Sequence, residues 1–318
     1  MERYKKTCWA FGLTSNFTFA AASVMMDIKK YCLNFIDEVV IFHDGISNRD
    51  KKLLSRILPT RFYEYSFPVE VSKLSDSARN YFTPMVFSKF EALRLLQEYE
   101  RVIFSDYDIL IQGDLSEIFK ACPSGWRVVS ATNPIRDMFY REIDGYDMNK
   151  ESFHGSFHIV WDHLPNHQKM WEWCYFTLEK YADALWLPET AVFTLLWQEF
   201  NIDVEKSLNP LIYDCHPSQK HYIHNAKIIH AYGQPKFWNG WHFPQWEKNY
   251  KRWIWWGGQP YYERTITYKL QQKFFDVRNK IQRSISPTKR LIKNLILGLL
   301  GKGLGAWLVR LFKLKNSD

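Results

Sequence analysis

The chain has 318 residues, 46% of them hydrophobic and 17% aromatic, enough apolar material for one large core or two fused smaller ones. Charged residues make up 24%, and without a long low-complexity tract this excludes global disorder. The net charge of +8 is concentrated at one end: residues 264–318 carry 13 Lys/Arg against 2 Asp/Glu, the remainder 29 against 32, so the main body lacks the cationic excess that a nucleic-acid partner demands.

Residues 7–13 (TCWAFGL) read as a buried first strand and not as a secretion signal, because the apolar run is short and Thr14, Ser15 and Asn16 follow at once. Apolar or small residues recur at Phe17, Ala20, Ala21, Val24, Met25, Ile28, Tyr31 and Cys32, a helical period with Ser15 or Asn16 placed to cap it. Residues 38–42 (EVVIF) are a second strand ending on His-Asp-Gly, a turn signal. Thr83-Pro84 opens another helix, with Thr as N-cap and Phe87, Phe90, Leu93 and Leu96 on its apolar side. Residues 101–105 are a strand, 113–120 a short helix and 126–131 a strand. Farther on, 157–161 and 226–230 read as strands, 167–185 and 189–200 as helices, and 236–262 as an aromatic-crowded stretch of weak period. Such alternation predicts an α/β fold with a mostly parallel sheet, whose ligands gather at the carboxyl ends of the strands. The five cysteines are widely spaced and form no CxxC pair, which fits a reducing compartment without a zinc knuckle.

The strongest chemical signal is an apolar strand running into Asp106-Tyr107-Asp108 and out through Ile109-Leu110-Ile111. In extended backbone positions i and i+2 face the same way, so both carboxylates share one side. Two hard oxygen donors at a strand end suit Mg²⁺ or Mn²⁺ shared with a phosphate, and two half-buried charges without a cation are costly. Much later, the strand at Ile228-Ile229 leads into His230, followed by Gly233, Lys236 and Trp238. A histidine at a strand end can offer an imidazole to a metal, a glycine allows close backbone approach to a ligand, and a lysine supplies a cation for an anionic group.

These two segments resemble family 8 of the retaining glycosyltransferases, whose pattern is a strand into Asp-x-Asp, a Gly-Asp turn into Leu, and later His-x-x-Gly-x-x-Lys-Pro-Trp. Gly113-Asp114-Leu115 matches, whereas Ser105 replaces a larger apolar residue and Phe237 the proline. The resemblance covers roughly residues 7–245. It implies a GT-A type nucleotide-diphospho-sugar transferase fold, a UDP-sugar donor, and Asp106, Asp108 and His230 as ligands of Mn²⁺ or Mg²⁺. It places Asn16 in the nucleotide loop, Lys89 where an arginine faces the donor, and Gly233 and Lys236 on the diphosphate. Glu189 falls near the reacting carbon, as nucleophile or as charge stabiliser, and Lys236 assists departure of the diphosphate. Phe153-His154-Gly155-Ser156 departs from the Phe-Asn-Ala/Ser-Gly of the family. A glycan or glycolipid acceptor in bacterial lipopolysaccharide or other surface-polysaccharide synthesis follows from the resemblance together with the tail. The rival readings are a non-catalytic carbohydrate-binding protein and a sugar nucleotidyltransferase; the second lacks its Gly-rich phosphate loop.

Residues 1–263 are thus expected as the catalytic domain and 264–318 as a basic helical tail, hinged at Ser286-Pro287. The aromatic block of Trp238, Trp241, Phe243, Trp246, Trp253, Trp255 and Trp256 is either a sugar platform, an interfacial belt or core. In the tail, residues 291–300 and 304–312 are apolar, too short to span a bilayer and flanked by lysines and arginines. They fit an amphipathic anchor on an anionic membrane, peripheral on the cytoplasmic face, or else a dimerisation or docking helix.

Overall fold

The computed structural model describes residues 5–283. The chain divides into two compact units, residues 1–261 and 262–318. In chain order the first contains β1 (Lys5–Leu13), α1 (Thr18–Tyr31), β2 (Glu38–His43), α2 (Asn48–Ile57), β3 (Thr60–Glu64), α3 (Glu91–Leu95), β4 (Tyr99–Ser105), β5 (Ile109–Ile111) and β6 (Trp126–Pro134). It continues through β7 (Glu151–Trp161), α4 (His167–Tyr181), α5 (Pro188–Glu199), β8 (Glu205–Leu208), α6 (Pro210–Tyr213), β9 (Ile228–His230) and α7 (Pro244–Trp255). The second unit carries α8 (Ile266–Arg283), and the expected hinge and apolar tail segments lie outside the described residues.

Seven strands form one sheet in the order β3-β2-β1-β4-β7-β6-β8, and β5 pairs with β9 in a separate ribbon. Every neighbour pair of the large sheet is parallel except those made by β7, which runs antiparallel to β4 and β6. The mostly parallel sheet expected from the alternation is therefore present. Both faces are buried, so each strand divides its apolar residues between two cores. Trp9, Phe11 and Leu13 of β1 pack under α1, α2 and α7, while Cys8 and Ala10 face α3, α4 and α5.

Several local readings change. Neither Ser15 nor Asn16 caps α1; both lie in a 3-10 turn, and the helix starts at Thr18, whose hydroxyl donates to Asp50 at 3.2 Å. Thr83 holds the N-cap position with Pro84 next, but its φ is +66°, its side chain makes no capping bond, and Pro84–Phe90 form a 3-10 turn before the five-residue α3. That tight turn lies against β1 at Gly12, where an added Cβ would stand 2.0 Å from Ser88 Oγ and 2.9 Å from the Met85 carbonyl. The aromatic block is largely core: Trp238, Trp246 and Trp253 are buried, and only Trp255, 83% exposed, points fully outward. Ser105 is buried and accepts the indole N–H of Trp9 at 2.8 Å, a polar match that a larger apolar residue would forfeit.

Asp27, buried in α1, ties the helical layer to the small ribbon. It accepts from Asn249 at 2.8 Å and Gln245 at 2.7 Å on α7, and from the Ile111 N–H at 3.3 Å on β5. Burial outweighs these three donors and lifts its pKa from 3.8 to about 7. Between those values the folded chain holds a proton that the unfolded chain has released, so stability falls as pH rises across this window, at most by ~1.4 kcal/mol per pH unit. Asp27→Asn removes this proton; melting curves from pH 4 to 7 are expected to fall less steeply for the variant than for wild type.

Candidate active site

Strands β1, β4 and β6 run in one direction, so their carboxyl ends share an edge, and β7, reversed, brings its first residues to that same edge. There β4 delivers Asp106, while β7 delivers His154, Gly155 and Ser156; the Asp106 N–H donates to the Ser156 carbonyl at 2.8 Å. The β5–β9 ribbon supplies the remainder. Ile109 lies opposite His230, and the Ala231 N–H donates to the Asp108 carbonyl at 3.0 Å. Every residue of both three-residue strands is buried, so this pairing is shielded from water on both faces.

The result is a cluster in which one ligand atom from each of Asp106, Asp108 and His230 lies within 4.8 Å of the others. His230 Nε2 stands 3.2 Å from Asp108 Oδ1 and 3.8 Å from Asp106 Oδ2. Its Nδ1 donates to Asp214 Oδ1 at 2.8 Å. Asp214, itself buried, is also 2.9 Å from His154 Nδ1 and accepts the Ser156 hydroxyl. Two carboxylates and an imidazole with a carboxylate behind its second nitrogen form the donor set expected around a hard divalent cation. These residues fit Mn²⁺ or Mg²⁺: the Nδ1–H bond to Asp214 leaves Nε2 as the atom directed at Asp106 and Asp108.

Charge compensation is dense. Burial alone would lower the pKa of His230, but Asp108 and Asp214 outweigh it and raise it to about 10. Burial pushes Asp108 up, and His230 and Lys236 more than reverse this, holding the carboxyl well below its usual range. Asp214 is likewise held at about 2 by His230 and His154 against its burial. Asp106 moves the other way, raised by burial despite Lys89.

Lys89 lies beneath the cluster. Its ammonium is 2.9 Å from Asp106 Oδ1, 2.8 Å from Glu189 Oε1 and 2.9 Å from the Gly155 carbonyl. All three of its donors are engaged by protein, so it has charge but no free hydrogen bond to offer a ligand. Glu189 sits in the first turn of α5, buried, and its second oxygen Oε2 has no hydrogen-bond partner. Gly155 makes room for it, since a Cβ there would stand 3.2 Å from Glu189 Oε1 and 2.3 Å from Thr190 Oγ1. Lys236 is half-buried and pairs with Asp108. Gly233 has a φ of +66° with open space where a Cβ would be, so conformation and not crowding calls for glycine. Asn16 is exposed beside Ser15, whose N–H donates to Asp44 at 2.6 Å in the loop after β2.

Asp106, Asp108, His230, Lys89, Glu189 and Lys236 are thus joined by direct contacts, while Asn16 and Gly233 stand apart from that network. Asp214 escaped the sequence reading. It is a solitary carboxylate after a four-residue helix, brought beside His230 by a single parallel bridge between Cys215 and Ile229. His154 and Ser156, which depart from the family pattern in sequence, both contact Asp214.

A family model for glycosyl transferase family 8 matches residues 8–242. No curated protein matches the sequence. Among solved structures, the galactosyltransferase LgtC in complex with donor and acceptor sugar analogs superposes with a TM-score of 0.59 at 10% identity, covering 78% of this chain and 99% of LgtC. The bifunctional glycosyltransferase WbbM gives 0.60 at 13% identity over 82% of this chain, which spans only 52% of WbbM. GlyE of Streptococcus pneumoniae gives 0.51 at 13% identity, covering 79% of this chain and 64% of that one. At these identities the likeness carries the fold.

Replacing the partner behind a metal-directed histidine costs about 10–100-fold in metal affinity. Asp214→Asn is expected to weaken Mn²⁺ binding by that factor in a calorimetric titration while the far-UV spectrum is retained.

Proposed function

The chain belongs to glycosyl transferase family 8, and on that basis we propose that this glycosyltransferase moves a hexose, with retention, from a UDP-linked donor to a glycan acceptor. The observation that carries the proposal is the convergence of Asp106, Asp108 and His230 at the carboxyl edge of the sheet. When bound by these three residues, Mn²⁺ or Mg²⁺ supplies Lewis-acid polarisation of the two phosphates.

The protein's own groups do the rest. Lys236 places positive charge beside Asp108, where the departing diphosphate gains negative charge. Glu189 provides the opposite charge for an oxocarbenium-like sugar. Its Oε1 is held by Lys89, which blunts nucleophilicity, and its buried Oε2 remains uncommitted. Charge stabilisation therefore suits it better than covalent attack, and the acceptor hydroxyl enters on the face that the diphosphate leaves. Lys89 keeps Asp106 and Glu189 from repelling each other, since both share its ammonium.

A surface polysaccharide or lipopolysaccharide acceptor is supported by the family resemblance and by the basic, apolar segment at residues 286–318. No described helix is long and apolar enough to cross a membrane. The segment instead suits binding to the surface of an anionic bilayer, at the cytoplasmic face where nucleotide sugars are used.

Two experiments test these points. In a screen of sugar nucleotides with Mn²⁺, Asp106→Asn and Asp108→Asn are each expected to abolish nucleoside diphosphate release with the fold retained, and Lys236→Met to lower kcat by about 10²–10³-fold. Near-normal turnover in either aspartate variant overturns the metal role. Flotation with vesicles containing phosphatidylglycerol is expected to carry the full chain upward and leave a chain ending at residue 285 behind; equal flotation removes the membrane assignment.

A further inference from the structure

A second cavity of about 600 Å³ opens between β3, α3 and α4, lined on one side by Tyr63 and Tyr65 and on the other by Arg94, Trp171 and Tyr175. It belongs to none of the machinery described above. Tyr63 and Tyr65 stand at i and i+2 of an extended segment, which Tyr65 prolongs by donating its N–H to the His43 carbonyl at 2.8 Å. Trp171 and Tyr175 stand at i and i+4 of α4, one turn apart on the same face.

The rings are held from behind by one buried carboxylate. Glu91 Oε1 accepts from Trp171 Nε1 at 2.9 Å and from the Tyr175 hydroxyl at 2.8 Å, and Oε2 accepts from Arg94 Nε at 2.6 Å. Because Tyr175 spends its proton on Glu91, the 3.0 Å contact with the Tyr65 hydroxyl is donated by Tyr65. Four side chains are thereby fixed in advance, which lowers the ordering cost of binding. Arg94 also lies 5.7 Å from the centre of the Tyr63 ring, so the place a cationic guest would take in an aromatic cage is already filled.

What remains open is polar on both counts. Among the described residues no hydrogen bond engages the two terminal nitrogens of Arg94, and Glu172 brings an exposed carboxylate to the rim. Rings for the apolar face of a pyranose, a guanidinium to donate and a carboxylate to accept are what a polyhydroxylated ring requires, in a volume typical of small-ligand sites.

We propose that this cavity is a second carbohydrate-binding site, holding a distal sugar of the acceptor glycan while another part of that glycan reacts. That assignment of the occupant rests on the transferase reading. The placement agrees with it: Tyr65 follows the carboxyl end of β3, on the same edge of the sheet as Asp106, and three strand spacings separate β3 from β4, roughly 14 Å.

The full chain is titrated, without metal or nucleotide, with the methyl glycosides of glucose, galactose and mannose and with lactose, cellobiose and maltose, read by saturation-transfer NMR and tryptophan fluorescence. At least one saccharide is expected to bind. Trp171→Ala weakens it by about tenfold or more, and Glu172→Ala weakens it severalfold. Glu172 is exposed, so its variant guards against a misfolded Trp171 variant. Asp108→Asn leaves this binding intact, and Trp171→Ala leaves Mn²⁺-dependent hydrolysis of the sugar nucleotide intact. Absence of binding by every saccharide, binding that survives Glu172→Ala unchanged, or binding lost in Asp108→Asn overturns the second site. Failure of sugar-nucleotide turnover in wild type overturns the transferase reading and leaves saccharide binding to be judged by its own variants.

Discussion

Pairing of three residues with three, Ile109–Ile111 with Ile228–His230, is the constraint on which the functional part of this molecule depends. Backbone hydrogen bonds in that ribbon convert sequence distance into contact: Lys236 meets Asp108 across 128 positions. The energetic consequence is large. Three aspartates and a glutamate occupy one partly buried region, and desolvation of each is opposed by a lysine or histidine brought from another element. Removing one partner of such a pair typically costs about 3–5 kcal/mol, because a buried charge is left behind. The arrangement is therefore cooperative, and its parts stand or fall together.

The sheet makes that cooperation geometrically cheap. With β1, β4 and β6 parallel and β7 reversed between two of them, strand ends and a strand start meet on one line. Gly12 allows the Pro84–Phe90 turn to approach β1, which carries Lys89 beneath Asp106, and Gly155 admits Glu189 from α5. Two glycines on two strands thus bring both ends of the Lys89–Glu189 pair to the same floor.

Much of this was legible in the residues. The strands of the central sheet announce themselves as short apolar runs, and the carboxylate pair and later histidine are recognisable because each follows such a run. What the residues hide is contact between elements distant in sequence. The pair Ser47 and Asp50 caps α2 through a 3.1 Å bond, a readable signal overlooked beneath the neighbouring His-Asp-Gly turn. α7 was obscured because tryptophans occupy both its inner and outer faces, Trp253 buried and Trp255 exposed, which blurs the helical period. Asp214 carries no local pattern at all; its meaning comes wholly from the bridge that sets it behind His230. Thr83-Pro84 does mark the start of a helix, but the two residues carry nothing that distinguishes a 3-10 turn from an α-helix.

Synthesis proceeds from the amino terminus, and β9 lies late in the chain, long after the two aspartates have emerged. Until that strand docks, Asp106 and Asp108 lack the imidazole and the lysine that offset them. The charge-compensated cluster is therefore incomplete until nearly the whole first unit is made. That delay is inherent in placing the last counter-charge at the far end of the fold.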